Sequence, residues 1–138
     1  MAENIRLEIV TPDKSVVSED AQIVVGPGSL GEFGILCGHT PFLTTLNMGT
    51  VRYKDANGAE RQIFISGGFA EALPDKVTIL AESAERRREI DIDRARSALA
   101  RAQKRLEEAQ KEKIDYARAK AALDRALHRI KVASSKGQ

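Results

Sequence analysis

Apolar and polar residues alternate at period two through Ile5-Arg6-Leu7-Glu8-Ile9 and through Gln62-Ile63-Phe64-Ile65-Ser66, the spacing of half-buried strands. Shorter runs of the same kind occur at Ile23-Val24-Val25, Phe42-Leu43-Thr44-Thr45-Leu46, Val51-Arg52-Tyr53 and Val77-Thr78-Ile79-Leu80. Turn formers separate them at Thr11-Pro12-Asp13, Pro27-Gly28-Ser29, Asp55-Ala56-Asn57-Gly58 and Leu73-Pro74-Asp75. The Asn57-Gly58 pair predicts a hairpin, because that turn needs a positive φ. Many short strands punctuated in this way predict an antiparallel sandwich or flattened barrel. With no Trp in the chain, its core must be mostly aliphatic.

The period changes near residue 90. From Asp91 to Lys136 there is no Gly or Pro, whereas all four prolines and nine of the ten glycines come earlier. Ala95, Leu99, Ala102, Leu106 and Ala109 recur at alternating spacings of four and three, as do Tyr116, Ala119, Leu123, Ala126 and Ile130. Both are narrow coiled-coil seams. Asp91 is placed to cap the first helix, with Asp93 in its first turn. Glu112-Lys113-Ile114-Asp115 forms the expected turn, with Asp115 capping the second helix. The predicted architecture is therefore an antiparallel β-sandwich over residues 1–88 followed by an antiparallel two-helix hairpin over 89–138. Half of the ten seam positions are Ala, which buries little apolar area. Such a hairpin is only marginally stable alone, the physical basis for a mobile element with more than one resting place.

Charge divides at the same boundary. Residues 1–90 carry 9 Lys and Arg against 13 Asp and Glu, a net of −4, while residues 91–138 carry 13 against 7, a net of +6. A basic helical extension on a mildly acidic body fits an acidic partner. The single cysteine, Cys37, excludes an internal disulfide and fits a reducing compartment. No run of apolar residues is long enough to span a bilayer, and Met1-Ala2-Glu3-Asn4 lacks the pattern of a signal peptide. The expectation is a soluble, cytoplasm-facing protein.

Candidate chemistry is sparse in the first ninety residues. Gly67-Gly68 does not open a helix and no Lys-Ser/Thr follows, so it is no phosphate-binding loop; its glycines read as turns and bulges. Cys37 and His39 are too few for a metal site or a nucleophile–base pair and read as a buried thiol and a turn histidine. No catalytic or metal-binding constellation emerges. In the tail, Arg94, Arg101 and Arg105 fall on one flank of the first helix, and Arg125 and Arg129 stand one turn apart on the second. Converging guanidinium groups suit phosphate oxygens; the competing reading is a solvated basic face. A nucleic-acid-binding hairpin is the alternative function, weakened by the lack of tail aromatics beyond Tyr116.

Three strings carry a resemblance: Gly31-Glu32-Phe33-Gly34-Ile35-Leu36-Cys37-Gly38-His39-Thr40-Pro41, Ser66-Gly67-Gly68-Phe69, and Asp75-Lys76-Val77-Thr78-Ile79-Leu80-Ala81. With the helical tail, they make the chain resemble the ε subunit of bacterial F-type ATP synthases; Cys37 stands where that family usually has proline. The resemblance implies a sandwich of about ten strands and a two-helix hairpin. It implies a non-catalytic subunit whose body docks on the γ stalk and rests on the ring of c subunits, coupling ion-driven rotation to ATP synthesis. The hairpin would extend along γ toward acidic segments of the α/β catalytic assembly and oppose ATP hydrolysis, with Arg118, Lys120 and Lys131 among its contacts. The site implied is the cytoplasmic face of the bacterial membrane, peripheral, with no nucleic acid bound. Some members bind ATP as a regulatory ligand through an Ile-Asp-x-x-Arg-Ala motif, which stands here as Ile90-Asp91-Ile92-Asp93-Arg94-Ala95. By that resemblance Glu85, Ile90 and Asp91 would hold the adenine end, beside Ala95 of the motif. Arg94, Arg101, Arg125 and Arg129 would face the phosphates.

Overall fold

The computed structural model describes residues 3–112 and 116–135, with the side chains of 109–112 outside that description. The chain divides into two compact units, one running to Arg88 and the other spanning Glu89–Ser135.

The first unit holds nine strands among the described residues: β1 (Ile5–Val10), β2 (Ser15–Gly28), β3 (Gly31–Ile35), β4 (Phe42–Leu46), β5 (Gly49–Asp55), β6 (Glu60–Ile65), β7 (Gly68–Ala72), β8 (Lys76–Ala81) and β9 (Ala84–Arg86). One layer runs β1-β8-β7-β4 and the other β2-β5-β6-β9, with β3 paired on β2. The long β2 joins them: its first half pairs with β1 and its second half with β3 and β5. The result is a flattened antiparallel barrel with one parallel pair, β1 with β8. A single 14-residue β2 serves both layers, which is why the count is nine against about ten expected. Alternation delivers Ile5, Leu7, Ile9, Val24, Ile35, Val51, Ile63, Ile65, Val77 and Ile79 to the interior, each nearly or fully buried. This is an aliphatic core.

Every strand predicted from alternation is present, but several segments differ. Pro27-Gly28 is strand rather than turn, paired with Glu32 and Gly31 of β3, so the chain reverses one residue later at Ser29-Leu30. The Pro27 carbonyl still accepts from the Asn47 N–H at 2.9 Å. Cys37 is half-buried, its thiol donating to Glu3 at 3.7 Å. The Asn57-Gly58 hairpin forms as expected, with Gly58 at φ +82°. Its anchor is Asp55, whose carboxylate accepts from the backbone N–H of Ala59 (3.0 Å) and Asn57 (2.9 Å) and from Arg61 (3.2 Å). The Ala59 bond first, then those of Asn57 and Arg61, hold the Asp55 carboxyl below the usual range against the opposing cost of desolvation.

The second unit is the helical hairpin, α1 (Ile92–Glu112) and α2 (Tyr116–Ser134). Asp91 caps α1: its carboxylate accepts from the Arg94 N–H at 3.0 Å and its carbonyl from the Ala95 N–H at 3.0 Å. Ala95, Ala102, Ala119 and Ala126 are buried, so the small-residue seam is the contact line, with Leu99, Leu106, Leu123 and Ile130 half-buried along it. Tyr116 departs from this pattern at 51% exposure. It is the first described residue of α2, at the end of the contact line. The Asp115 cap falls outside the described residues.

Candidate functional site

Each buried seam alanine is preceded by an arginine: Arg94 before Ala95, Arg101 before Ala102, Arg118 before Ala119 and Arg125 before Ala126. A residue one position before the seam lies about 100° around the helix from it, and residues 3 after a seam alanine lie on the same side. In an antiparallel pair, equivalent positions of the two helices share one flank of the contact line. The hairpin therefore gathers Arg94, Arg101, Arg105, Arg118, Arg125 and Arg129 on a single flank. Arg94, Arg101, Arg105 and Arg118 are exposed, whereas Arg125 and Arg129 are half-buried.

Around this flank, Asp91 is committed to the α1 cap and Ile90 is buried to 9% exposure. Glu85 belongs to the body, in β9 opposite Phe64 of β6. Lys120 bonds to Asp124 one turn on, at 3.3 Å, and Lys131 is exposed. Val132, one helical turn past Arg129 and seven residues past Arg125, is buried to 1%. Sequence spacing missed it because it lies off the seam. No cluster of metal-ligating side chains occurs among the described residues.

The body offers a different kind of surface. Phe69 of β7 pairs opposite Leu80 of β8 and Thr45 of β4, and Leu43 lies diagonally beside it. All three apolar side chains are exposed, at 52% for Phe69, 55% for Leu80 and 70% for Leu43. They form an apolar strip on the outer face of this layer, the kind of surface that contacts another protein.

Both units match known families. Residues 4–87 match the family described as ATP synthase, Delta/Epsilon chain, beta-sandwich domain, and residues 88–134 its long alpha-helix domain. The chain belongs to the ATP synthase delta/epsilon chain family. Within it, the similar relatives are epsilon chains. It is 67% identical over 108 residues to the ATP synthase epsilon chain of Desulforapulum autotrophicum, covering 78% of this chain and 80% of the relative. It is 66% identical over 107 residues to that of Desulfatibacillum aliphaticivorans, covering 78% and 76%. Among solved structures, a chain in the cryo-EM structure of Euglena gracilis mitochondrial ATP synthase, OSCP/F1/c-ring, superposes with TM-score 0.74 at 26% identity, covering 88% of this chain and 76% of that one. One from the central stalk and c-ring of the Tetrahymena thermophila enzyme shares the fold at TM-score 0.51 and 15% identity. The nucleic-acid reading finds no support among these relatives.

Proposed function

We propose that this chain is the epsilon subunit of the central stalk of a bacterial F-type ATP synthase, a rotor component that carries no catalytic site of its own. The observation that carries this is the family match across both units, residues 4–134. The subunit works at the cytoplasmic face of the membrane, held there peripherally through the complex; no helix among the described residues is long and apolar enough to cross a membrane. The exposed Leu43–Phe69–Leu80 strip supports docking of the body on the γ stalk, beside the c-ring. The hairpin, basic and alanine-seamed, is the regulatory element that approaches the α/β assembly and slows ATP hydrolysis. Arg118 and Lys131, both exposed, and Lys120 supply charge for that contact.

ATP is the proposed regulatory ligand of the hairpin. Arg94, Arg101, Arg125 and Arg129 on the shared flank would bind its phosphates; Ile90 and Asp91, with Glu85, would take the adenine end, and Ala95 completes the motif. The half-buried Arg125 and Arg129 support this reading, because guanidinium groups with little remaining freedom lose less entropy on binding. Adding the purified chain to a complex depleted of its epsilon subunit tests the function: it should rejoin γ and the c-ring and restore coupled ATP synthesis. Failure to join the rotor would overturn the assignment.

A further inference from the structure

A second gathering of arginines lies in the body. Arg61, Gln62, Ile63, Arg86, Arg87 and Arg88 line one shallow recess, so four of its six lining residues are cationic and none is a carboxylate. Its construction follows from strand register. Ile63 of β6 pairs opposite Arg86 of β9, which sets Arg61 and Arg86 on one face as diagonal neighbours, about 7–8 Å apart in such a ladder. The β6–β9 pairing stops there, so Glu60 to Gln62 has a strand neighbour only on its β5 side. Arg87 and Arg88 then turn across that gap in a 3-10 turn, Arg87–Glu89.

Two of the guanidinium groups are tethered from behind. Arg61 donates through Nε and Nη2 to Asp55 Oδ2, both at 3.2 Å. Arg86 donates through Nε and Nη2 to the Val16 carbonyl at 3.2 and 2.9 Å. A guanidinium carries five N–H donors, so these tethers fix each plane without exhausting it. Asp55 pairs with Arg61 and is itself saturated by two backbone N–H groups. Arg88 is exposed at the mouth. Cations held this close favour a multivalent anion with several acceptor oxygens.

We infer that this recess is an oxyanion site for a phosphate or diphosphate group, built from residues other than the hairpin arginines and independent of whether those bind ATP. An anion bridging Arg61 of β6 to Arg88 would brace the segment where the body ends and the chain passes into the hairpin unit. The chemistry fits either a free inorganic anion or the phosphate tail of a nucleotide.

Titration of the full chain with inorganic pyrophosphate, followed by backbone amide NMR, tests this. The amides of Arg61, Gln62, Arg87 and Arg88 should shift saturably, and Arg88→Gln should weaken binding about tenfold or more. Arg61→Gln should do the same, and a spectrum unchanged away from the recess in Arg88→Gln shows that folding is intact. The double variant Arg125→Ala, Arg129→Ala should leave the saturable pyrophosphate shifts of the Arg61, Gln62, Arg87 and Arg88 amides in place. If ATP saturates the same amides in that double variant, the anion is the nucleotide's phosphate tail; if only the inorganic anions do, it is a free anion. The absence of saturable shifts at millimolar pyrophosphate, shifts confined to the hairpin, or unchanged affinity in Arg88→Gln would overturn the proposal.

Discussion

A side chain on Gly68 would place its first carbon 2.0 Å from the carbonyl oxygen of Leu80, the strand neighbour of Phe69. Gly68 also holds φ at +143°, a region that other residues rarely enter. This explains the glycine in Ser66-Gly67-Gly68-Phe69: β7 and β8 approach so closely that only a hydrogen fits. Gly68→Ala should therefore destabilise the body by about 3 kcal/mol or more, through backbone strain and overpacking together. Gly34→Ala is the control, since its added carbon would meet nothing nearer than 3.9 Å, and it should be close to neutral. Urea unfolding of the two variants checks this; equal midpoints would contradict it.

Tyr53 should make the body alkali-sensitive. Burial first, then the hydrogen bond and charge of Glu19 at 2.6 Å, push its hydroxyl from 10.0 up to about 12, against a smaller opposing effect of Arg86. The folded protein keeps the proton where the unfolded chain loses it. The stability from this bond is thus complete below the unfolded value and is lost as pH rises from 10.0 toward about 12. Ultraviolet titration should show one tyrosine ionising at about 12 that disappears in Tyr53→Phe. A native protein with no such late phase would refute the assignment.

The α1 cap should be measurable in isolation. Asp91→Ala removes the bond to the Arg94 N–H and should cost the hairpin about 1 kcal/mol. Circular dichroism should record lost helix and a lower hairpin melting temperature, with the β signal unchanged. An unaltered helical signal would show that the cap contributes nothing.

ATP binding should depend most on the half-buried pair. Arg125→Ala or Arg129→Ala removes a charge-assisted hydrogen bond, on the order of 1.5–3 kcal/mol, or roughly 10- to 150-fold in affinity. Arg94→Ala should also weaken binding, and Arg105→Ala much less, although all share one flank. Isothermal titration decides it: no saturable binding at millimolar ATP, or an Arg105→Ala loss equal to that of Arg125→Ala, contradicts the site.

Much of the fold was legible because it rests on periodicity. The alternation at Ile5–Ile9 and Gln62–Ser66 became β1 and β6, and the seam alanines at 95, 102, 119 and 126 are buried as their spacing requires. What escaped were β3, β7, β9 and the first half of β2, whose few apolar residues are interrupted by glycine, small or charged ones and give no sustained alternation. Their pairing is dictated by neighbours rather than by a local pattern. Pro27 misled because proline marks turns, yet its carbonyl-only chemistry suits the place where β2 leaves β5. The hairpin arginines were visible from helical spacing. The recess at Arg61 and Arg86 was not, because it depends on a β6–β9 register that no local pattern encodes.

The body should also stand alone. Residues 1–88 contain five of the six aromatics and the whole aliphatic core, so a chain ending at Arg88 should melt cooperatively with a β-type signal. A molten or aggregated product would make the hairpin part of the core.

The central claim is that the hairpin restrains hydrolysis while the body holds the subunit in the rotor. ATP hydrolysis by the assembled complex, compared between the full chain and one ending at Arg88, tests it most directly. The truncated chain should assemble normally and hydrolyse ATP faster, with charge reversal at Arg118, Lys120 and Lys131 reproducing part of the increase. Equal rates in all three complexes would contradict a restraining hairpin.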